Sequence, residues 1–132
     1  MAKIGVKELV AKANEQVTTL SPDEALAAQM DSSALLVDIR DVRELSREGR
    51  IEDAIHAPRG MLEFWFDEES PYHREVFARE EQTYILFCAA GWRSALAAKS
   101  LMDMGFDNIA HIDGGFGAMK DAGATLIEKP AK

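Results

Sequence analysis

Thr83-Tyr84-Ile85-Leu86-Phe87-Cys88 is an almost wholly apolar run, and the glycine-bearing turn Ala89-Ala90-Gly91 follows it directly. The run is short and shows no polar alternation, so it suits a strand covered on both faces. Beyond the turn, Ala97, Leu101 and Met104 recur at helical spacing, and Gly105 closes the stretch. A doubly covered strand that turns straight into a helix favours a parallel sheet with helices packed on it.

The rest of the chain keeps the same alternation. Ala34-Leu-Leu-Val-Asp38 is a second apolar run, this one stopping at a carboxylate, and Ile109-Ala-His-Ile112 is a third. Val17-Thr18-Thr19 reads as extended, and Ala54-Ile55-His56-Ala57 is a weaker strand ended by Pro58. From Lys3 to about Gln16, Val6, Leu9, Val10 and Ala13 share one helical face. Ser21 reads as an N-cap, with Pro22 at the first helical position and Glu24 completing a capping box, for a helix running to about Met30. Further helices are expected between Arg40 and Arg50 (ending near Gly49), from Gly60 to Phe66, from Glu69 to Arg79, and after Gly114. The expected fold class is α/β, a mostly parallel central sheet with helices on both faces. An N-terminal helical extension, residues 1–16, precedes a domain over residues 17–128. In such sheets ligands gather at the carboxyl ends of strands, where Asp38 and Cys88 both fall.

Composition narrows the function. The 132 residues suffice for one domain, and with 47% hydrophobic residues a packed core is expected. A formal net charge of −8 repels nucleic acid and anionic membrane, both of which are bound mainly through Lys and Arg. No apolar run approaches the roughly 20 residues of a membrane span, and the N-terminal residues lack the apolar core of a secretory signal. A single cysteine makes no internal disulfide, which fits a reducing compartment. The expectation is a soluble, cytoplasmic protein. Any anion site in so acidic a chain must be local, built from backbone amides and one or two arginines.

Cys88 and the turn behind it supply such a site. The first turn of a helix leaves backbone N–H groups unpaired, and with the helix dipole they form a nest for negative charge. Helix N-termini and nearby arginines favour thiolate over thiol. Gly91 permits the turn, and Arg93 adds a fixed positive charge. The alternative, a buried cysteine acting as a small hydrophobe, leaves the glycine turn and the arginine without a purpose.

Cys88-Ala-Ala-Gly-Trp-Arg93-Ser resembles the active-site loop C-x-x-G-x-R of rhodanese-like sulfurtransferases. Leu36-Val-Asp-Ile-Arg40-Asp-Val-Arg-Glu44-Leu, with Gly49-Arg-Ile51 and Ala54-Ile-His-Ala-Pro58, resembles the N-terminal signature of that family. Gly105-Phe-Asp-Asn-Ile and Asp113-Gly-Gly-Phe-Gly-Ala-Met resemble its C-terminal pattern. The resemblance covers about Val17 to Leu126. It implies that Cys88 attacks the outer sulfur of a donor such as thiosulfate and becomes a persulfide, which a thiol or cyanide then discharges. On the same basis Ala89, Ala90, Gly91, Trp92 and Arg93 bind the substrate, and no metal or organic cofactor is required. The partners implied are a small anionic sulfur donor and a thiol acceptor, with a protein persulfide as an alternative donor. Arg50-Ile-Glu-Asp-Ala54 departs from the family's H-I-P-G-A, and alanines stand at 89 and 90 where thiosulfate-using members often carry Lys or Arg.

Two other readings compete. Cysteine phosphatases place five residues between Cys and Arg, whereas four separate Cys88 from Arg93 and Ser94 takes the phosphatase arginine's position. A non-catalytic binding or redox-sensing module is the other, although no second cysteine is present to resolve an oxidised thiol. Asp38 reads equally as orienting the loop or as structural. Arg40 and Glu44, at helical spacing, read as an ion pair. Arg59 is expected to face solvent, Phe64-Trp65-Phe66 to fill the core, and Trp92 to wall the pocket. His56, His73 and His111 have no metal-ligand spacing with one another or with Cys88. Gly114-Gly-Phe-Gly117 follows the last strand and lacks the context of a nucleotide fingerprint.

Overall fold

In the computed structural model, which describes residues 3–128, five strands form one sheet: β1 (Thr18–Leu20), β2 (Ala34–Asp38), β4 (Ile55–His56), β5 (Thr83–Phe87) and β6 (Ile109–Ile112). Their order is β1-β6-β5-β2-β4, and every pairing is parallel. β5 lies in the middle, with Leu36 opposite Ile85 and Asp38 opposite Phe87 on β2. All five carboxyl ends therefore open onto the same edge of the sheet.

The unbroken apolar runs follow from burial on both faces. Val37, Tyr84 and Leu86 point to one side, where α4 (Leu62–Phe66) and α5 (Trp92–Asp103) bring Leu62, Phe66, Ala97 and Leu101 against them. Leu36, Ile85 and Phe87 point to the other, covered by Ala25 of α2 (Pro22–Met30) and by Phe116 and Met119 of α6 (Gly115–Asp121). Phe66 is fully buried, stacked on Phe77 at 4.5 Å and edge-on to Tyr84 and Phe106. α1 (Val6–Gln16) packs outside α5, through Val10 and Ala13 on Ala95.

The predicted capping box of α2 is present: Ser21 Oγ accepts from the Glu24 amide and Glu24 accepts from the Ser21 amide. A second box, Asp41 with Glu44, starts α3 (Val42–Glu48), and Gly49 at φ +84° ends it. The helix expected from Glu69 to Arg79 is absent, and only a 3-10 turn at Glu75–Phe77 forms there. Pro71 lacks an N–H to donate, and Ser70 Oγ ties up the Tyr72 amide in a local turn. The aromatic cluster also divides. Phe66 is core, Trp65 is partly buried under Arg74, and Phe64 is half exposed, edge-on to Tyr72. A separate antiparallel pair, β3 (Arg50–Ile51) with β7 (Leu126–Ile127), was not expected, since two-residue strands carry no periodicity.

Candidate active site

Cys88 is the first residue past β5, at the middle of the edge onto which the strand ends open. It is only 1% exposed. The loop curls around its sulfur: the Gly91 amide donates to Sγ at 3.2 Å and the Ser94 amide at 3.4 Å. Trp92, Arg93 and Ser94 form the first turn of α5, so their amides have no intrahelical acceptor.

The curl depends on backbone positions open only to glycine. Gly91 sits at φ +107°, and a Cβ there would lie 3.4 Å from the Gly114 nitrogen. Gly115, at φ +62°, approaches so closely that a Cβ would meet Cys88 O and lie 2.8 Å from the Ala89 carbonyl carbon. This contact lets the Phe116 amide donate to Cys88 O at 2.7 Å and the Gly117 amide to Ala89 O at 3.3 Å. The turn after β6 thus takes up the loop's carbonyls. That is the physical role of Gly115.

Around the loop, Ala89 is half-buried, Ala90 is exposed and Trp92 is half exposed. Arg93 does not stand alone. Its guanidinium donates to both Glu44 oxygens, at 2.9 and 3.1 Å. The Arg93 contact holds the Glu44 carboxyl below the usual range, while Glu44, and more weakly the Cys88 sulfur, raise Arg93.

The expected Arg40–Glu44 ion pair does not form. Arg40 precedes α3, so helical spacing does not bring the two side chains together. Arg40 turns inward instead, pairs with Asp38 at 2.8 Å, donates to Gly49 O and lies 3.9 Å from the centre of the Phe116 ring. Asp38 is therefore the counter-ion of a buried arginine, which decides for its structural reading. Arg59 is half-buried, paired with Glu63 at 2.8 Å, rather than fully in solvent. His56 and His73 each hold a backbone carbonyl, that of Arg40 and that of Trp65.

Two residues not singled out for the site belong to it. Ser94 Oγ lies 3.7 Å from Cys88 Sγ and 2.9 Å from His111 Nδ1. His111 Nε2 lies 2.8 Å from Asn14 Oδ1 on α1 and 3.2 Å from Thr19 Oγ1 on β1. Burial pushes the His111 ring below its ordinary pKa, opposed by the Asp113 carboxylate. The one signal in the sequence was a histidine inside an apolar strand, a group that needs polar partners wherever it is buried.

Comparisons with known proteins identify the family and the fold. The rhodanese-like domain model matches residues 21–122. A Rhodopseudomonas palustris protein of unknown function, described as a possible tyrosine phosphatase, has a structure that superposes with a TM-score of 0.89 at 43% identity, covering 96% of this chain and 97% of that one. An uncharacterized Synechocystis protein is 27% identical over 90% of this chain and 61% of its own length. Thiosulfate sulfurtransferase GlpE of Actinobacillus pleuropneumoniae is 28% identical over 86% of this chain and 95% of its own. The chain spans less than two thirds of the length of the first curated relatives it matches. Among the described residues no helix is long and apolar enough to cross a membrane. With its match over residues 21–122 and its all-parallel five-stranded sheet, the chain belongs to the rhodanese-like domain family.

Proposed function

We propose that this protein is a sulfurtransferase that carries sulfane sulfur on Cys88. The observation behind this reading is the sulfur of Cys88 receiving the Gly91 and Ser94 amides at the start of α5, a cradle for a negatively charged sulfur. In the first step the Cys88 thiolate attacks the terminal sulfur of the donor. An S–S bond forms to Cys88, and the donor's bond to that sulfur breaks, its electron pair leaving as sulfite from thiosulfate or as thiolate from a persulfide. In the second step an acceptor thiolate or cyanide attacks the outer sulfur and Cys88 departs as thiolate. Splitting one transfer into two easier displacements is the gain of a covalent intermediate. The amides of Trp92 and Arg93 in the first turn of α5 hold the outer sulfur.

The burial of Cys88 favours donors that present a terminal sulfur end-on. Arg93 shares its charge with Glu44, and Ala89 and Ala90 add none, so a persulfide donor suits the site better than dianionic thiosulfate. The compartment proposed is the cytoplasm, in keeping with a lone thiol.

Phosphate ester hydrolysis is the second reading, favoured by the description of the Rhodopseudomonas relative. Against it stand the four-residue spacing from Cys88 to Arg93 and the engagement of Arg93 by Glu44. Thiocyanate formation from thiosulfate and cyanide, measured beside phosphate release from an aryl phosphate with Cys88→Ala as the blank, separates the two. Thiocyanate without phosphate supports sulfur transfer, and the reverse overturns it. A Cys88 that gains three oxygens instead of one sulfur points to the redox-sensing module.

A further inference from the structure

We propose that His111, acting through the Ser94 hydroxyl, takes the proton that Cys88 must lose before it can react. This rests on the reading of Cys88 as the sulfur carrier and adds the means by which its thiolate forms.

A buried thiol cannot simply release its proton to water. Cys88 is 1% exposed, and Ser94 and His111 are 0% and 2% exposed. Near the sulfur, Arg93 is a cation and has no acceptor to offer. Glu44, held in its charged form by Arg93, is a weak base. Ser94 Oγ, at 3.7 Å, is the side-chain oxygen in contact with Sγ.

The hydrogen bonds give the chain a direction. Asn14 Oδ1, 2.8 Å from His111 Nε2, only accepts, so Nε2 carries the ring's proton and Nδ1 is left as an acceptor. The Ser94 hydroxyl then donates to Nδ1 at 2.9 Å, in preference to Gly91 O at 3.4 Å. That leaves the lone pairs of Oγ for the Cys88 S–H.

Proton movement along this line balances. The Cys88 S–H bond breaks, sulfur keeps the electron pair, and the proton passes to Ser94 Oγ. The original Ser94 proton passes to His111 Nδ1. The product is a thiolate, an imidazolium and an unchanged serine, with no net charge added to the site. The thiolate is met by the Gly91 and Ser94 amides, and the imidazolium keeps its Nε2–H on Asn14. Arg93 on α5, paired with Glu44 on α3, acts on the sulfur, and Asp113 beyond β6 acts on the ring. α1 and β1 present the uncharged Asn14 and Thr19 to the ring.

The test is the pH profile of Cys88 alkylation by iodoacetamide, which is clean because the chain has one cysteine. A coupled thiol and imidazole titrate in two steps, giving a reactive shoulder near neutral pH. His111→Gln retains an acceptor for the Ser94 hydroxyl but holds no proton. Its profile collapses to one step at higher pH, with reactivity at neutral pH lower by about tenfold or more, the equivalent of one pKa unit. Ser94→Ala breaks the line at its middle and gives the same single step, which decides the matter if His111→Gln does not fold. Asn14→Asp places a carboxylate on Nε2 and raises the neutral shoulder. A single step in the unmodified protein, or two steps retained in His111→Gln or Ser94→Ala, overturns the proposal. Sulfur loading is read separately by mass. An unmodified protein with the two-step profile that takes up no sulfur overturns the sulfur-carrier reading alone. One that takes up sulfur while alkylating in a single step overturns the relay alone.

Discussion

Gly115→Ala tests how the active-site loop is held. Gly115 sits at φ +62°, and a Cβ built there meets Cys88 O and lies 2.8 Å and 2.9 Å from the carbonyl carbon and oxygen of Ala89. Two costs follow. Holding alanine in the left-handed region costs about 1–2 kcal/mol. Forcing a methyl against fixed backbone costs about 1–3 kcal/mol more, and pushing the turn away also strains the Phe116 N–H bond to Cys88 O, worth about 1 kcal/mol. The sum, about 3–6 kcal/mol, is a large fraction of the 5–15 kcal/mol typical of domains. Gly123→Ala is the control. Its φ is +96°, yet a Cβ there meets nothing within 4 Å, so it carries only the conformational cost. Urea unfolding of both variants isolates the collision, because Gly115→Ala lowers the midpoint further than Gly123→Ala with the slope unchanged. Equal midpoints for the two would refute the claim that the turn after β6 is packed against the Cys88 loop.

Arg40→Ala leaves the Asp38 carboxylate buried beside no cation and costs about 3–5 kcal/mol, read by the same unfolding measurement. Glu44→Gln keeps an oxygen for the Asp41 amide but releases the charge of Arg93, so the KM for thiosulfate falls, by about fivefold if the freed charge is worth about 1 kcal/mol. Lowering the pH destabilises the fold through His111. The unfolded chain protonates this residue near 6.5 while the buried ring resists, so the unfolded state holds more protons just below that value. The contribution of His111 is complete above 6.5 and is lost as the pH falls toward its lowered folded value. His111→Gln flattens this slope in a stability–pH series.

The parts of the fold written locally in the chain were the legible ones. β5 and β2 announce themselves because burial on both faces demands unbroken apolar residues, and the Ser21 cap spans three positions. The loop after Cys88 was legible too, since glycine and arginine follow within five residues. What stayed hidden depends on chain segments far apart. Glu44 and Arg93 are 49 positions apart, and Asn14 and His111 are 97 apart, so neither pairing has a local signature. Arg40 misled for a related reason: helical spacing suggested Glu44, but the helix begins two residues later and burial selects Asp38. The Glu69–Arg79 stretch misled because Pro71 lacks an N–H to donate and Ser70 Oγ holds the Tyr72 amide in a local turn.

The central claim is that Cys88 carries sulfur. Intact-mass measurement after exposure to thiosulfate or a small persulfide tests it most directly, with Cys88→Ala treated in parallel. The account predicts a gain of one sulfur atom on Cys88, reversed by cyanide or thiol, and none on the variant. No gain from either donor, or the same gain on Cys88→Ala, would contradict it.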